Sequence, residues 1–76
     1  MKKLIDDSGG YKTYFELRPF TNPSHKGWQS LIVTTVWEGA RGEVHQQKKF
    51  EINLDPEALV NFKQLFEAIQ DEVFYL

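Results

Sequence analysis

The hydrophobic positions in the last third of the chain repeat with the period of an α-helix. They recur at steps of three or four residues: Leu59, Phe62, Phe66, Ile69 and Val73. Such spacing places them on one face of an amphipathic helix. Asp55 and Pro56 precede this pattern, and the pair is typical of a helix start, because aspartate caps free N–H groups and proline suits the first helical position. The pattern predicts a helix over residues 55–73.

Upstream of the helix, the chain has the alternation of β-strands. Residues 11–20 alternate as a strand does, with Pro19 at its end or at an edge position, and strand geometry places the two alternating sets on opposite faces. One set is Tyr11, Thr13, Phe15 and Leu17, and the other is Lys12, Tyr14, Glu16 and Arg18. Residues 28–38 hold the longest run of β-branched and apolar side chains, typical of a central strand. Residues 1–10 are either a flexible tail or a short edge strand, because Gly9-Gly10 interrupts whatever precedes it.

A third strand is predicted over residues 43–54, after a glycine-bounded hairpin at residues 39–42. Strict alternation divides it into two sets. The set expected against the helix is Val44, Gln46, Lys48, Phe50, Ile52 and Leu54, and the set expected on the open face is His45, Gln47, Lys49, Glu51 and Asn53. The predicted fold class is therefore α+β, with an antiparallel sheet of three to four strands followed by one C-terminal helix.

Chain length limits how much core this protein can build. Its 76 residues form a single domain, and a chain of that size buries only about 60% of its unfolded surface. There is no cysteine to add a disulfide, while aromatic residues make up 14% of the sequence. A homodimer would bury this surplus, and we expect the apolar residues 73–76 to lie in the dimer contact.

The charge is unevenly distributed along the chain. The net charge is −2, but residues 12–49 carry six cationic against three acidic side chains (net +3), and residues 50–76 carry one against six (net −5). Basic strands beside an acidic helix are a mild indication of an anionic partner. No apolar run approaches the ~20 residues that span a bilayer, and the first residues are too charged for a signal peptide. We expect a cytoplasmic protein, associated with the nucleoid, or a nuclear one in a eukaryote.

Motifs for catalysis are not found in the sequence. It has no cysteine nucleophile, no Gly-x-Ser-x-Gly elbow and no glycine-rich phosphate loop, which are common signatures of hydrolases and nucleotide-binding enzymes. His25 and His45 lack the spacing of two zinc ligands on one helix face. We therefore expect no enzymatic activity, no cofactor and no metal.

Cations and aromatic rings on the open sheet face suggest a binding function. Bases stack on aromatic rings while lysine and arginine pair with phosphates, which is how single strands are held without sequence readout. The candidate residues for binding nucleic acid are Lys12, Tyr14, Arg18, Lys26, Trp37, Arg41, His45, Lys48 and Lys49. An ordinary solvated sheet face is the competing interpretation. Trp28 and Trp37 are candidates for core, dimer or stacking positions.

The segment from the last strand into the helix has a recognisable pattern. Lys48-Lys49 forms a basic pair, Ile52-Asn53-Leu54 follows, then Asp55-Pro56-Glu57 and Phe62-Lys63. Residues 42–73, and more weakly residues 28–41, resemble the C-terminal domain of the positive cofactor four family of transcriptional coactivators. In that family a single glycine stands where Phe50-Glu51 stands here.

This resemblance implies a homodimer that binds single-stranded DNA without catalysis, in transcription, replication or recombination. RNA is an alternative ligand. The competing functional hypothesis is a small protein-binding module or inhibitor that uses the aromatic sheet face, since aromatic residues and arginine dominate protein interfaces.

Overall fold

The computed structural model describes the chain over residues 1–75, and its side chains over residues 1–69. The strands are β1 (Lys2–Ser8), β2 (Tyr11–Pro19), β3 (Gln29–Glu38) and β4 (Val44–Leu54), and a short 3-10 turn (Pro23–His25) lies between β2 and β3. A helix, α1 (Pro56–Tyr75), follows the last strand. The strands form one antiparallel sheet in the order β1-β2-β3-β4. The predicted α+β fold is confirmed, and the first residues form the edge strand β1.

Register between β2 and β3 defines the two faces of the sheet. Phe15 is paired with Val33 and Leu17 with Leu31, and Leu17 borders the helix residue Phe62. We call this the helix-side face. The alternate residues of β2, namely Lys12, Tyr14, Glu16 and Arg18, lie on the opposite side, the open face, as predicted from alternation.

Strand β4 departs from strict alternation. Thr34 of β3 pairs with Lys48 and Val33 pairs with Phe50, so Lys49 is an extra residue that forms a β-bulge. The bulge changes the phase of the strand. Before it, Val44, Gln46 and Lys48 lie on the open face while His45 and Gln47 lie on the helix-side face; after it, Phe50, Ile52 and Leu54 are on the helix-side face. The predicted faces were therefore wrong for residues 44–48.

Helix α1 begins where the sequence predicts. The Asp55 side-chain oxygen Oδ1 accepts from the Ala58 N–H at 2.8 Å, and the Asp55 carbonyl accepts from the Leu59 N–H at 2.9 Å. The loop between β2 and β3 packs against this helix start. Gly27 has φ of +84°, and a Cβ at this position would lie 3.2 Å from Pro56 Cγ.

The core of this fold is thin. Among the described side chains, only Leu31, Ile32 and Leu54 are buried hydrophobic residues. Ala58, Leu59 and Phe62 are partly buried, whereas every side chain over residues 63–69 is exposed. Over residues 56–69, whose side chains are described, the helix therefore covers the sheet near the β2–β3 loop and not its end near the β3–β4 hairpin. Residues 73–76, expected in a dimer contact, lie outside the side chains described. Within the described chain, α1 is not apolar enough to cross a membrane.

Candidate nucleic-acid interface

The nine predicted binding residues do not form one surface. Lys12, Tyr14, Arg18 and Lys48 lie on the open face, while Trp37, His45 and Lys49 lie on the helix-side face. Lys26 is in the β2–β3 loop and Arg41 in the β3–β4 hairpin, at opposite ends of β3. At about 3.3 Å per residue those ends are roughly 30 Å apart. The expectation that His45, Gln47 and Lys49 share the face of Lys12 and Arg18 was wrong, because the bulge at Lys49 inverts the phase.

On the open face, cations lie beside carboxylates. Arg18 Nη2 is 3.0 Å from Glu16 Oε1, and Lys48 Nζ is 2.9 Å from Glu51 Oε2. Lys12 is the register partner of an aspartate of β1. Exposed ion pairs of this kind contribute only about 0–1 kcal/mol each. They nonetheless offset the positive charges of Arg18 and Lys48 that the open face would present to a phosphate.

Tyr14 is already in contact with a cation. It lies in one cross-strand row with Thr34 and Lys48, and Lys2 Nζ is 4.9 Å from the centre of its ring. That distance is typical of a cation–π contact. A nucleobase that stacked on this side of Tyr14 would have to displace the Lys2 ammonium group.

Three rings form a row on the helix-side face, at the end of the sheet near the β3–β4 hairpin. Tyr11, Trp37 and His45 are successive register partners on β2, β3 and β4. The Tyr11 and Trp37 ring centroids are 5.9 Å apart with planes at 37°, and those of Trp37 and His45 are 5.5 Å apart at 21°. Tyr11 is 53% exposed. We call these three side chains the aromatic row.

Lys49 lies on the same face as the aromatic row. Its Nζ donates to Gln47 Oε1 at 2.9 Å, and among the described side chains it has no carboxylate within ion-pair distance. Among the described side chains, its ammonium group is therefore hydrogen-bonded to a neutral amide and its charge is not offset. The hairpin that carries Arg41 begins directly beyond the row.

Glu43 orients the outer ring of the row. The pKa of Glu43 is lowered because its carboxylate accepts hydrogen bonds, chiefly from its own backbone N–H and then from the His45 ring. Desolvation raises the pKa by more than the hydrogen bond from the Arg41 N–H lowers it, but does not cancel the shift. The His45 Nε2 atom is 3.3 Å from Glu43 Oε1, and the Arg41 nitrogen is 2.9 Å from Oε2. An ionised Glu43 therefore fixes the imidazole in its stacked position.

Tyr11 is the site residue that sequence reasoning missed. Alternation placed it with Phe15 and Leu17, which suggested a position beneath the helix. The sequence did hold one signal of the change in β4: Gln46 and Lys48 interrupt a set that is otherwise apolar, and a polar break in such a set indicates a change of phase.

Trp28 belongs to a different cluster. It packs with Phe20 and His25 beside the β2–β3 loop, with ring centroids 5.0–5.9 Å apart, and it is partly buried. This assigns Trp28 to packing of the loop. Within the described residues, no group of histidine and acidic side chains is arranged to hold a metal ion.

Comparison with protein-family models, with curated proteins and with solved structures finds no match to this chain. The resemblance to the positive cofactor four family therefore stays a prediction, and the site's chemistry must support any function proposed for it.

Proposed function

We propose that this protein binds single-stranded nucleic acid, DNA in the first place, as a non-catalytic protein of transcription, replication or recombination. The observation that supports this most directly is the aromatic row of Tyr11, Trp37 and His45 beside Lys49, which forms no ion pair with a carboxylate among the side chains of residues 1–69. Stacking rings together with backbone-following cations are the two components that sequence-independent binding of single strands requires.

A nucleobase can extend the aromatic row at its outer end. β4 is the edge strand of the sheet, so no further strand covers the outer side of the His45 ring. Each stacked base contributes about 1–3 kcal/mol, whatever its identity, because every base has a π-face. The ammonium group of Lys49, on the same face, is then available to a phosphate of the same strand.

The open face is less suited to this task. A phosphate that approached Arg18 or Lys48 would compete with Glu16 or Glu51 for the same charge. Its aromatic residue, Tyr14, is in contact with Lys2. A single-stranded nucleic acid cannot contact both faces of the sheet without passing over an edge. The open face and the face with the aromatic row are therefore alternative binding surfaces, which an experiment can distinguish.

Lys48 and Lys49 provide that experiment, because they are adjacent in sequence and lie on opposite faces. Lys49→Ala should weaken binding of a labelled oligo(dT) and lower the slope of log affinity against log salt by about one, as expected for one lost phosphate contact. Lys48→Ala is the matched control and should leave the slope nearly unchanged. Both substitutions preserve the length of β4. The titration is done at several salt concentrations, with oligo(U) and duplex DNA for comparison.

Other outcomes of this titration are equally informative. Loss of affinity in Lys48→Ala alone would move the site to the open face, with Lys12, Tyr14 and Arg18. No binding of any oligonucleotide at low salt would reject the proposed function.

A protein-binding module or inhibitor is the second candidate. It is favoured by the exposure of the aromatic row, because tyrosine and tryptophan are the residues that most often dominate protein interfaces. Binding to a protein through this row would depend weakly on salt, whereas binding to a nucleic acid would depend on it steeply.

A further inference from the structure

The β3–β4 hairpin directs several hydrogen-bond donors at one point. The Glu43 carboxylate accepts from the Arg41 N–H at 2.9 Å and lies 3.3 Å from His45 Nε2, and it also accepts from its own backbone N–H. Gly42, between the two backbone donors, has φ of +82°. Backbone N–H groups around a left-handed residue form a concavity that binds anions. The hairpin therefore builds an anion site, and the chain fills it with one of its own carboxylates.

The space for this anion depends on Gly39. A Cβ at Gly39 would overlap the Glu43 carboxylate and would lie 3.0 Å from His45 Nε2. The φ angle of Gly39 is not positive, so the backbone here does not itself require glycine. The absent side chain leaves the volume that the bound anion occupies.

The shape of the hairpin is held by its backbone and not by the Glu43 side chain. The Gly39 N–H donates to the Glu43 carbonyl at 2.7 Å, and the Gly42 N–H donates to the Gly39 carbonyl at 3.1 Å. The side chains of Glu43 and His45 are 47% and 46% exposed. The carboxylate can therefore swing into solvent while the donors stay where they are.

Arg41 adds a positive charge to this site. Within the side chains that the structure describes, its guanidinium group forms no ion pair with a carboxylate. A guanidinium matches the geometry of a phosphate as well as that of a carboxylate. A phosphate monoester has three acceptor oxygens and a charge of about −1.5 to −2 at pH 7. It can therefore accept from the same donors as Glu43, and it brings more charge to the site than the carboxylate it displaces.

We infer that the β3–β4 hairpin is a binding site for a phosphate monoester group, and that Glu43 occupies this site until such a group displaces its carboxylate. The lowered pKa of Glu43 agrees with this, because hydrogen bonds to its charged form make the surroundings favourable to an anion.

The phosphate group has two possible sources, inorganic phosphate and the terminal phosphate of a nucleic-acid strand. The second source rests on the proposed function. It fits the position of the site, because His45 belongs both to the aromatic row and to the surroundings of the Glu43 carboxylate. A terminal nucleotide would then place its base against the ring and its phosphate in the hairpin.

Inorganic phosphate tests the site without any nucleic acid. It is titrated at constant ionic strength while the backbone amide resonances of residues 41 and 43 are followed by NMR. Glu43→Ala should bind phosphate at least about tenfold more tightly than the unmodified chain, the effect of freeing one charge-assisted hydrogen bond. Glu38→Ala is the matched control, because Glu38 is another exposed carboxylate beside the hairpin, near Gly42. It should change the affinity less than about threefold, as expected for an exposed charge nearby.

A double variant tests the volume that the anion needs. Adding Gly39→Ala to Glu43→Ala places a Cβ in the emptied space and should abolish the gain in phosphate affinity. No gain in Glu43→Ala, an equal gain in Glu38→Ala, or a gain that survives Gly39→Ala would overturn the inference.

A second measurement uses only the unmodified chain, so that a variant that does not fold leaves the question decided. As inorganic phosphate is added, the side-chain carboxyl carbon of Glu43 should shift in step with the Arg41 amide, whereas that of Glu38 should not. A Glu43 carboxyl resonance that stays in place at saturating phosphate would overturn displacement of the carboxylate.

Oligonucleotides then identify the source of the phosphate. If it is a strand end, Glu43→Ala should bind 5′-phosphorylated oligo(dT) more tightly than the same oligomer without its terminal phosphate. Equal affinity for the two oligomers would assign the site to inorganic phosphate. Binding of phosphate but of no oligonucleotide would reject the proposed function and leave the site standing. Binding of oligonucleotides without any response to phosphate would reject the site and leave the function standing.

Discussion

Trp37 and His45 stack across β3 and β4, with ring centroids 5.5 Å apart and planes 21° from parallel. Because β4 is the edge strand, the imidazole is the last ring of the row and presents its outer side to solvent. The stack is held by register and by Glu43, which lies 3.3 Å from the His45 Nε2 atom. The edge of the sheet thus offers a planar surface that is set in place before any ligand binds.

The two tryptophans make the aromatic row directly observable. In Trp28→Phe, Trp37 is the sole indole, and oligo(dT) should quench its fluorescence as a base joins the stack. In Trp37→Phe, the remaining Trp28 lies in the cluster with Phe20 and His25 and should not respond.

Trp37→Ala should cost about 1–3 kcal/mol of binding with an unchanged salt slope, since stacking releases no counterion. Tyr14→Ala removes a ring from the open face and serves as the control. Quenching of Trp28 instead of Trp37, or a larger loss in Tyr14→Ala, would show that the strand binds elsewhere.

The cap of α1 should be worth a measurable part of the stability. Asp55→Ala removes the acceptor of the Ala58 N–H and should cost about 1 kcal/mol. For a domain of this size that corresponds to a fall in Tm of about 4–8 °C. Asp55→Asn keeps a side-chain acceptor, so its Tm should fall much less. An unchanged Tm in Asp55→Ala would show that this hydrogen bond does not stabilise the helix.

Gly10 and Gly27 have the same φ angle but different surroundings. Replacing each by alanine therefore separates the cost of backbone strain from the cost of a steric clash. Gly10 and Gly27 both have φ of +84°, but a Cβ at Gly10 meets nothing within 4 Å, whereas one at Gly27 would lie 3.2 Å from Pro56 Cγ. Each change to alanine should cost about 1–2 kcal/mol for the left-handed conformation. Gly27→Ala should lower the free energy of unfolding further, because the loop must also move away from the helix. Equal losses in urea denaturation would show that the packing against Pro56 contributes nothing.

Stability should depend on the ionisation of Glu43. Since its pKa is lowered in the folded chain below the ordinary value of 4.5, this carboxylate stabilises the fold above that value, and the contribution is lost as pH falls through the lowered pKa. An NMR titration of the carboxyl carbon should give a midpoint below 4.5. Glu43→Gln should flatten the acid side of the stability profile.

Gly39 provides the matched variant for Glu43. A Cβ at Gly39 would overlap the Glu43 carboxylate, so Gly39→Ala should displace it and return the pKa toward its ordinary value. A midpoint at or above 4.5 in the unmodified chain would contradict the hydrogen bonding described for Glu43.

Local patterns were enough to predict most of the fold. The helix start follows from Asp55 and Pro56, whose effects act within one turn, and the faces of β2 follow from simple alternation. The order of the strands follows from short connections, which join neighbours in an antiparallel sheet. These features need no knowledge of distant contacts.

The candidate site was harder to predict, because it depends on the pairing of β4 with β3. A single unpaired residue, Lys49, moves His45 to the side of Trp37 and leaves Lys48 on the other. The polar residues Gln46 and Lys48 indicate that the phase of β4 changes, but alternation cannot show at which residue the bulge lies, since its position is set by which pairs across two strands fit best. The position of α1 could not be predicted either, because a helical period says which face is apolar and not how much of a sheet that face covers.

The bulge allows β4 to lose one residue and still keep its pairing with β3. One end of the strand is anchored by the stack of His45 on Trp37, and the other by Leu54 beneath the helix. Both residues lie on the helix-side face, but they are nine positions apart in sequence, so regular alternation would place them on opposite faces. The unpaired residue Lys49 shifts the phase by one position, so that both can lie on the same face. Removing this residue would leave a regular ladder with His45 and Lys48 on the sides they now occupy, whereas inserting a residue between them would force one end to release its anchor. In this strand, a deletion is a milder change than an insertion.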